Sequence, residues 1–251
     1  MIRKIHVVAM TIIFFTTIPY SPINAGSNAI ETLTQRLDSI VTVRSKVFDL
    51  PSAPEAQVAI DPQTGSMAVG TVRHLQYQEK NGAGVIISVD GRIVTNTHII
   101  FGAQQITVTL RDGTQRPAQV LFISRKDDFS ILKIEADRPL PPVDFADLSR
   151  LAPGDAIATI GHSDILAGTI SGGVISGVGT RQTEQGTEIE LLRLNINHYA
   201  GDSGGPVLDQ NGQLVGLISA KRLSADRQLF AIPADKIHFA DINLDNHSKN
   251  Q

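Results

Sequence analysis

The sequence predicts an all-β protein built as two antiparallel β-barrels with a cleft between them. Three observations carry this. Short apolar or alternating runs recur from residue 84 to residue 232, each of strand rather than helix length. Asp90-Gly91, Asp112-Gly113 and Asn211-Gly212 stand between neighbouring runs, and such pairs are the strongest local hairpin signal. Near the middle, Arg138-Pro139-Leu140-Pro141-Pro142 interrupts the pattern and divides the strands into two sets. With 251 residues, 41% of them hydrophobic, the chain can fill one compact unit or two small ones sharing an interface. It has no cysteine, so packing must supply the stability that a disulfide cannot.

The elements follow in order. Met1-Ile2-Arg3-Lys4 is a basic start, residues 5–18 are mostly apolar, and Pro19 and Pro22 lead to Ile23-Asn24-Ala25. This order reads as a signal peptide over residues 1–25, cleaved before Gly26. The apolar run is short for a bilayer, so no stable membrane span is expected, and export would place the protein in a bacterial periplasm or outside the cell. Residues 26–81 form an N-terminal segment. It holds a helix around 29–37 capped by Ser27 or Asn28, a first strand at Ile40-Val41-Thr42-Val43, and an aperiodic stretch with Pro51, Pro54 and Pro62 that reads as a long loop. Residues 82–142 hold the rest of the first barrel and its linker: strands at 85–89 and 92–95 meet across Asp90-Gly91, and strands at 106–110 and 118–123 flank Asp112-Gly113. Residues 143–240 form the second barrel, with strands at 156–160, 169–176, 188–194, 207–208, 214–218 and 229–232. A short helix begins at Pro233, residues 241–251 read as a polar tail, and no internal repeat is present.

The chemistry centres on Gly201-Asp202-Ser203-Gly204-Gly205-Pro206-Val207. Glycines on both sides let backbone approach a substrate and fold an amide-lined turn around the hydroxyl. A serine needs a base and a group that orients the base. His98, where an apolar strand ends, is the candidate base, and Asp128, at the mouth of the strand Phe129-Ser130-Ile131-Leu132-Lys133-Ile134, is the candidate orienting group. Each alone is weak, since a lone histidine is more often structural and an aspartate before a strand is more often turn chemistry. The order His, Asp, Ser is that of chymotrypsin-like enzymes. The serine also matches G-x-S-x-G, but that elbow needs a helix after the serine and a later acid and histidine. Here Pro206 and an alternating run continue as a hairpin. The net charge of −3 shows no basic stripe, so nucleic acid is not an expected partner. No His/Cys/carboxylate cluster has ligand spacing, so neither metal nor organic cofactor is implied.

These residues resemble the protease domain of the HtrA/Deg serine proteases, within the chymotrypsin-like superfamily, from about residue 82 to residue 236. The matching pieces are Gly82-Ala83-Gly84-Val85-Ile86-Ile87, Val94-Thr95-Asn96-Thr97-His98, the strand at Asp128, Ser171-Gly172-Gly173-Val174-Ile175-Ser176, the serine heptad and Phe230-Ala231-Ile232-Pro233. The resemblance implies two six-stranded barrels, peptide-bond hydrolysis by His98, Asp128 and Ser203, and an oxyanion hole from the backbone N–H groups of Gly201 and Ser203. It implies polypeptide substrates, unfolded proteins among them, and a homotrimer built through N-terminal segments, although the segment before Gly82 is too divergent for those contacts to be carried over. Three departures stand out. No peptide-binding PDZ module is expected after residue 240, His198-Tyr199-Ala200 replaces the family's Ile-Asn-Pro, and His162-Ser163 replaces Asn-Pro. Two alternatives remain beside an HtrA-like enzyme: a stand-alone trypsin-like or glutamyl-type protease, and a protease-like binding or chaperone protein that has lost catalysis.

In this fold the primary pocket is expected to be lined by Asn197, His198 and Tyr199 before the serine and by Ile218, Ser219 and Ala220 on the later strand. A small apolar pocket accepting Val, Ala or Leu is the expectation; His198 could instead receive an acidic side chain. No Ile-Val-Gly-Gly-like start precedes His98, so Asp202 is expected to be satisfied locally and the chain beginning at Gly26 to be competent without further cleavage.

Overall fold

The computed structural model describes residues 27–49, 55–60, 63–64, 66–72, 76–161, 168–182, 186, 188–196, 203–219 and 229–248. The proposed signal segment lies outside them. Helix α1 (Ser27–Gln35) tightens into a 3-10 turn (Arg36–Ser39) before strand β1 (Ile40–Asp49). Strands β2 (Glu55–Ile60) and β3 (Met67–Val72) then pair as a separate two-stranded ribbon where the sequence reads as a loop. Pro51, Pro54 and Pro62 all lie outside the described residues, and neither strand contains a proline.

The first barrel continues with β4 (Gln76–Ile86), β5 (Arg92–Asn96), the one-turn helix α2 (Thr97–Ile100), β6 (Gln105–Thr109), β7 (Gln115–Ser124) and β8 (Phe129–Ile134). Its closed order is β1-β4-β5-β8-β7-β6, with β6 returning to β1. The second barrel comprises β9 (Ala156–Ile160), β10 (Ile170–Gln182), β11 (Glu188–Ile196), β12 (Pro206–Leu208), β13 (Leu214–Ser219) and β14 (Leu229–Pro233), closed in the order β10-β11-β14-β13-β12-β9. The strands within each barrel pair antiparallel, so the two six-stranded barrels expected from the sequence are the fold observed. The hairpin at Asp90-Gly91 places Val85 opposite Val94, and the one at Asp112-Gly113 places Thr109 opposite Gln115.

Three apolar clusters hold this arrangement. One fills the first barrel, with Val41, Val43, Ile93 and Leu132 among its members, and one fills the second, with Ile157, Leu192 and Leu194. The third lies where the barrels meet and takes Val85, Val94, Ile131, Ile189, Leu191, Leu214 and Leu217 from strands of both. Adjacent residues divide between clusters: Ile93 points inside the first barrel and Val94 to the junction, while Leu132 points inside and Ile131 to the junction. A strand buried on both faces must be apolar at successive positions, which explains the continuous runs in the sequence.

Helix α3 (Ala234–Ser248) is longer than the short helix expected, and residues 241–248 of the segment read as a polar tail continue it. Its docking contacts are partly ionic, which is why apolar periodicity did not reveal it. Arg92 on β5 sets Nη1 2.7 Å from Asp245 Oδ1 and 3.0 Å from Asp241 Oδ1. Burial pushes the Asp241 carboxyl above its ordinary range despite Arg92, with Asp245 and Asp90 adding to the rise. Asp90 shows the opposite balance: burial raises it, but the Ser88 hydroxyl, Lys133 and Arg92 together hold it below the ordinary range. No helix among the described residues is long and apolar enough to cross a membrane.

Candidate active site

His98 sits in α2, directly after β5, and Ile99 and Ile100 beside it are buried in the first barrel's core. Asp128 immediately precedes β8, which pairs with β5 so that Asn96 faces Phe129. Antiparallel pairing therefore brings the two residues together at one end of the barrel. His98 Nδ1 and Asp128 Oδ2 are 2.8 Å apart, and the His98 backbone N–H donates to Asp128 Oδ1 at 3.0 Å. Both carboxylate oxygens are thus engaged by one histidine, once through its ring and once through its backbone. Asp128 is 5% exposed, whereas the His98 side chain is 34% exposed. The acid is shielded and the imidazole reaches solvent.

Asp128 has φ +62°, and it is the sole non-glycine with positive φ among the described residues. Such a conformation costs on the order of 1–3 kcal/mol and persists where neighbours over-determine it. Here the Asp128 carbonyl accepts the Thr97 backbone N–H at 3.1 Å and the Asn96 side-chain amide at 3.1 Å. The Thr97 hydroxyl donates to the Ser124 carbonyl at 3.1 Å, leaving Ser130 to donate to Thr97 at 2.8 Å. Asn96, Thr97 and Ser130 are all buried. Sequence reasoning missed this supporting set. The signal available was a run of short polar residues, Thr95-Asn96-Thr97, at the end of an otherwise apolar strand.

Ser203 opens a turn that leads into β12, not into a helix, which removes the nucleophile-elbow alternative on structural grounds. The turn crosses to the first barrel. The Ala83 N–H donates to the Ser203 carbonyl at 2.8 Å, while Gly204 N–H donates to the Ile218 carbonyl at 3.1 Å. Gly204 has φ +79° and lies against the Ala83 carbonyl and Thr95 Oγ1, where a Cβ would collide. A Cβ at Gly82 would collide with Ile99 and press on the Ser203 carbonyl, so no side chain fits there. The serine turn is therefore seated on β4 and β5, whose next residues carry His98. Of the residues expected to bind substrate, Ile218 is buried in the second barrel's core and meets the serine turn through its backbone. Ser219 is buried at the end of β13 opposite Phe230. Asn197, His198, Tyr199, Ala220, Gly201 and Asp202 lie outside the described residues. Among the described residues no group of three or more His, Cys, Asp or Glu is placed to hold a metal ion.

A family model for the trypsin-like peptidase domain matches residues 82–217, more than half of the chain. The chain belongs to the trypsin-like peptidases. Among relatives of this trypsin-like peptidase, it is 34% identical over 159 residues to the putative serine protease HhoB of Synechocystis, covering 62% of this chain and 38% of that protein. It is 36% identical over 156 residues to a probable periplasmic serine endoprotease, DegP-like, of Bartonella henselae, covering 61% and 31%. The chain thus spans about a third of the length of the curated relatives it matches. An HtrA-type protease solved with a decapeptide superposes with a TM-score of 0.67 at 24% identity, over 83% of this chain and 64% of that one, and shows the same fold.

Proposed function

We propose that this trypsin-like peptidase is an exported serine endopeptidase of the HtrA kind, with His98, Asp128 and Ser203 as its catalytic residues. The observation that carries the reading is the pair of hydrogen bonds from His98 to the two oxygens of a buried Asp128. With Nδ1–H held by Asp128, the neutral ring keeps its proton there and leaves Nε2 as the acceptor for the Ser203 hydroxyl proton. Ser203 attacks the peptide carbonyl, His98 passes the proton to the leaving amine, and Asp128 stabilises the imidazolium between those steps. Backbone N–H groups of Gly201 and Ser203 would hold the oxyanion, each worth roughly 3–4 kcal/mol.

Polypeptides, unfolded ones included, are the proposed substrates. The basic and apolar start of the chain and the printed names of periplasmic DegP-like relatives support a periplasmic or secreted location. For the primary pocket we keep the expectation of a small apolar site taking Val, Ala or Leu. Cleavage profiling of a peptide library tests both statements. The expected result is cleavage after small aliphatic residues, abolished in Ser203→Ala without loss of fold. Hydrolysis that survives Ser203→Ala overturns the catalytic assignment. Cleavage after Glu or Asp that disappears in His198→Ile overturns the pocket.

A further inference from the structure

The turn that carries His98 contains five backbone carbonyls that need donors, from Thr97 to Phe101, and a helix this short can satisfy few of them itself. Thr97 O accepts from Phe101 N–H at 2.8 Å, and Ile100 O accepts from Ala103 N–H at 3.0 Å. The other three are answered by two side chains from elsewhere. Ser45 Oγ donates to Ile99 O at 2.5 Å, and Lys80 Nζ donates to His98 O at 3.4 Å and to Phe101 O at 3.3 Å. Ser45 on β1 and Lys80 on β4 stand directly opposite each other in register, so one cross-strand pair reaches the helix as a unit. Ser45 is completely buried and Lys80 partly so. An ammonium at the C-terminal end of a helix also complements the partial negative charge of its carbonyls.

We propose that Ser45 and Lys80 form a clamp that positions His98: Asp128 fixes the front of the helix, and this pair fixes its back. Both are positioning residues, since they act through His98 and through no contact with substrate. The proposal rests on the serine-peptidase reading of the site. Hydrolytic chemistry is sensitive to small displacements of the base, and a shift of about 1 Å can cost up to roughly 10²-fold.

The test compares the full chain with Lys80→Met, Lys80→Arg, Ser45→Ala and the Lys80→Met/Ser45→Ala double variant. Glu79→Gln serves as control, because Glu79 is on the same strand but pairs outward with Lys46. Lys80→Met is expected to lower kcat about tenfold with KM within about twofold of wild type, and Lys80→Arg to recover most of the loss. The double variant should lose less than the product of the single losses, because one helix is released in each case. A second readout is the low-field proton resonance of His98 Nδ1–H on Asp128, which should move in Lys80→Met and return in Lys80→Arg. Unchanged kcat and an unmoved resonance in Lys80→Met overturn the clamp. So does a kcat loss that only tracks a fall in Tm and is not recovered by arginine. If Ser45→Ala fails to fold, the Lys80 series decides alone. If the wild-type protein hydrolyses no peptide, the functional reading falls and the resonance decides: movement in Lys80→Met supports the clamp, and none overturns it.

Discussion

Asp128 combines three properties that rarely coincide: a buried carboxylate, two hydrogen bonds from one histidine, and a left-handed backbone held by Asn96 and Thr97. A structural aspartate at the start of a strand needs only the first turn bonds. Holding the imidazole from both its ring and its own backbone fixes the tautomer, which is what a general base requires. Asp128→Asn preserves shape but offers an N–H where the ring's N–H needs an acceptor. We expect kcat to fall by about 10³–10⁴ with the unfolding temperature little changed, read by peptide hydrolysis beside thermal unfolding. Wild-type turnover in that variant would show that Asp128 does not orient the base. His98 and Asp128, which the structure brings within a hydrogen bond, stand out as candidates in the sequence because one follows and the other precedes an apolar strand, and Ser203 stands out because it sits among glycines. Their supports do not. Asn96, Ser130, Ser45 and Lys80 gain meaning only from strand register, which brings residues distant in sequence to within a hydrogen bond of α2 and Asp128.

At the scale of elements, Arg92 ties α3 to the start of β5, and the carboxylates of Asp90 and Asp241 beside it are shifted in opposite directions. Asp90 is held below its ordinary value near 3.8, so its charge stabilises the folded protein above that value, and the contribution is lost as pH falls through the lowered one. Asp241 is raised above 3.8, so the folded protein holds the proton more tightly than the unfolded chain, and stability is lost as pH rises from 3.8 through the raised value. Thermal unfolding from about pH 2 to pH 8, which covers the ordinary carboxylate range and the region on either side of it, separates the two. Relative to wild type, Asp241→Asn should gain as pH rises and Asp90→Asn should lose. Parallel pH curves for all three proteins would contradict the assignment. The same ionic docking explains why residues 241–248 read as a tail: a helix held by Arg92 through Asp241 and Asp245 shows no apolar stripe at those positions. The ribbon of β2 and β3 reads as a loop in the sequence for a related reason, since it belongs to neither barrel and the nearby Pro51, Pro54 and Pro62 dominate the local pattern.

For the whole molecule, the junction cluster is the apolar core that both barrels share. His98 and Asp128 come from the first barrel and Ser203 from the second, so their relative placement depends on the apolar side chains packed between them. Leu217, fully buried in that cluster and paired with Pro206 after the serine turn, is a direct probe. Leu217→Ala should cost about 2–5 kcal/mol, because a cavity opens where two sheets meet. Because the cluster is shared, calorimetry should show one unfolding transition for both barrels, shifted down in the variant. Two separated transitions would mean that the barrels fold independently. The two-barrel fold itself was readable from strand lengths, turn pairs and the proline-rich break, whereas the junction was not, because continuous apolar runs do not declare which face meets which partner.

The most direct measurement is covalent labelling of the folded protein with a fluorophosphonate, followed by mass mapping of the adduct. Such a reagent reacts with a serine whose hydroxyl is activated by a neighbouring base and ignores the rest. The predicted result is one adduct, on Ser203, formed far more slowly in Asp128→Asn and absent in Ser203→Ala. A folded wild-type protein in which Ser203 stays unlabelled would contradict the assignment of His98, Asp128 and Ser203 as a working catalytic triad.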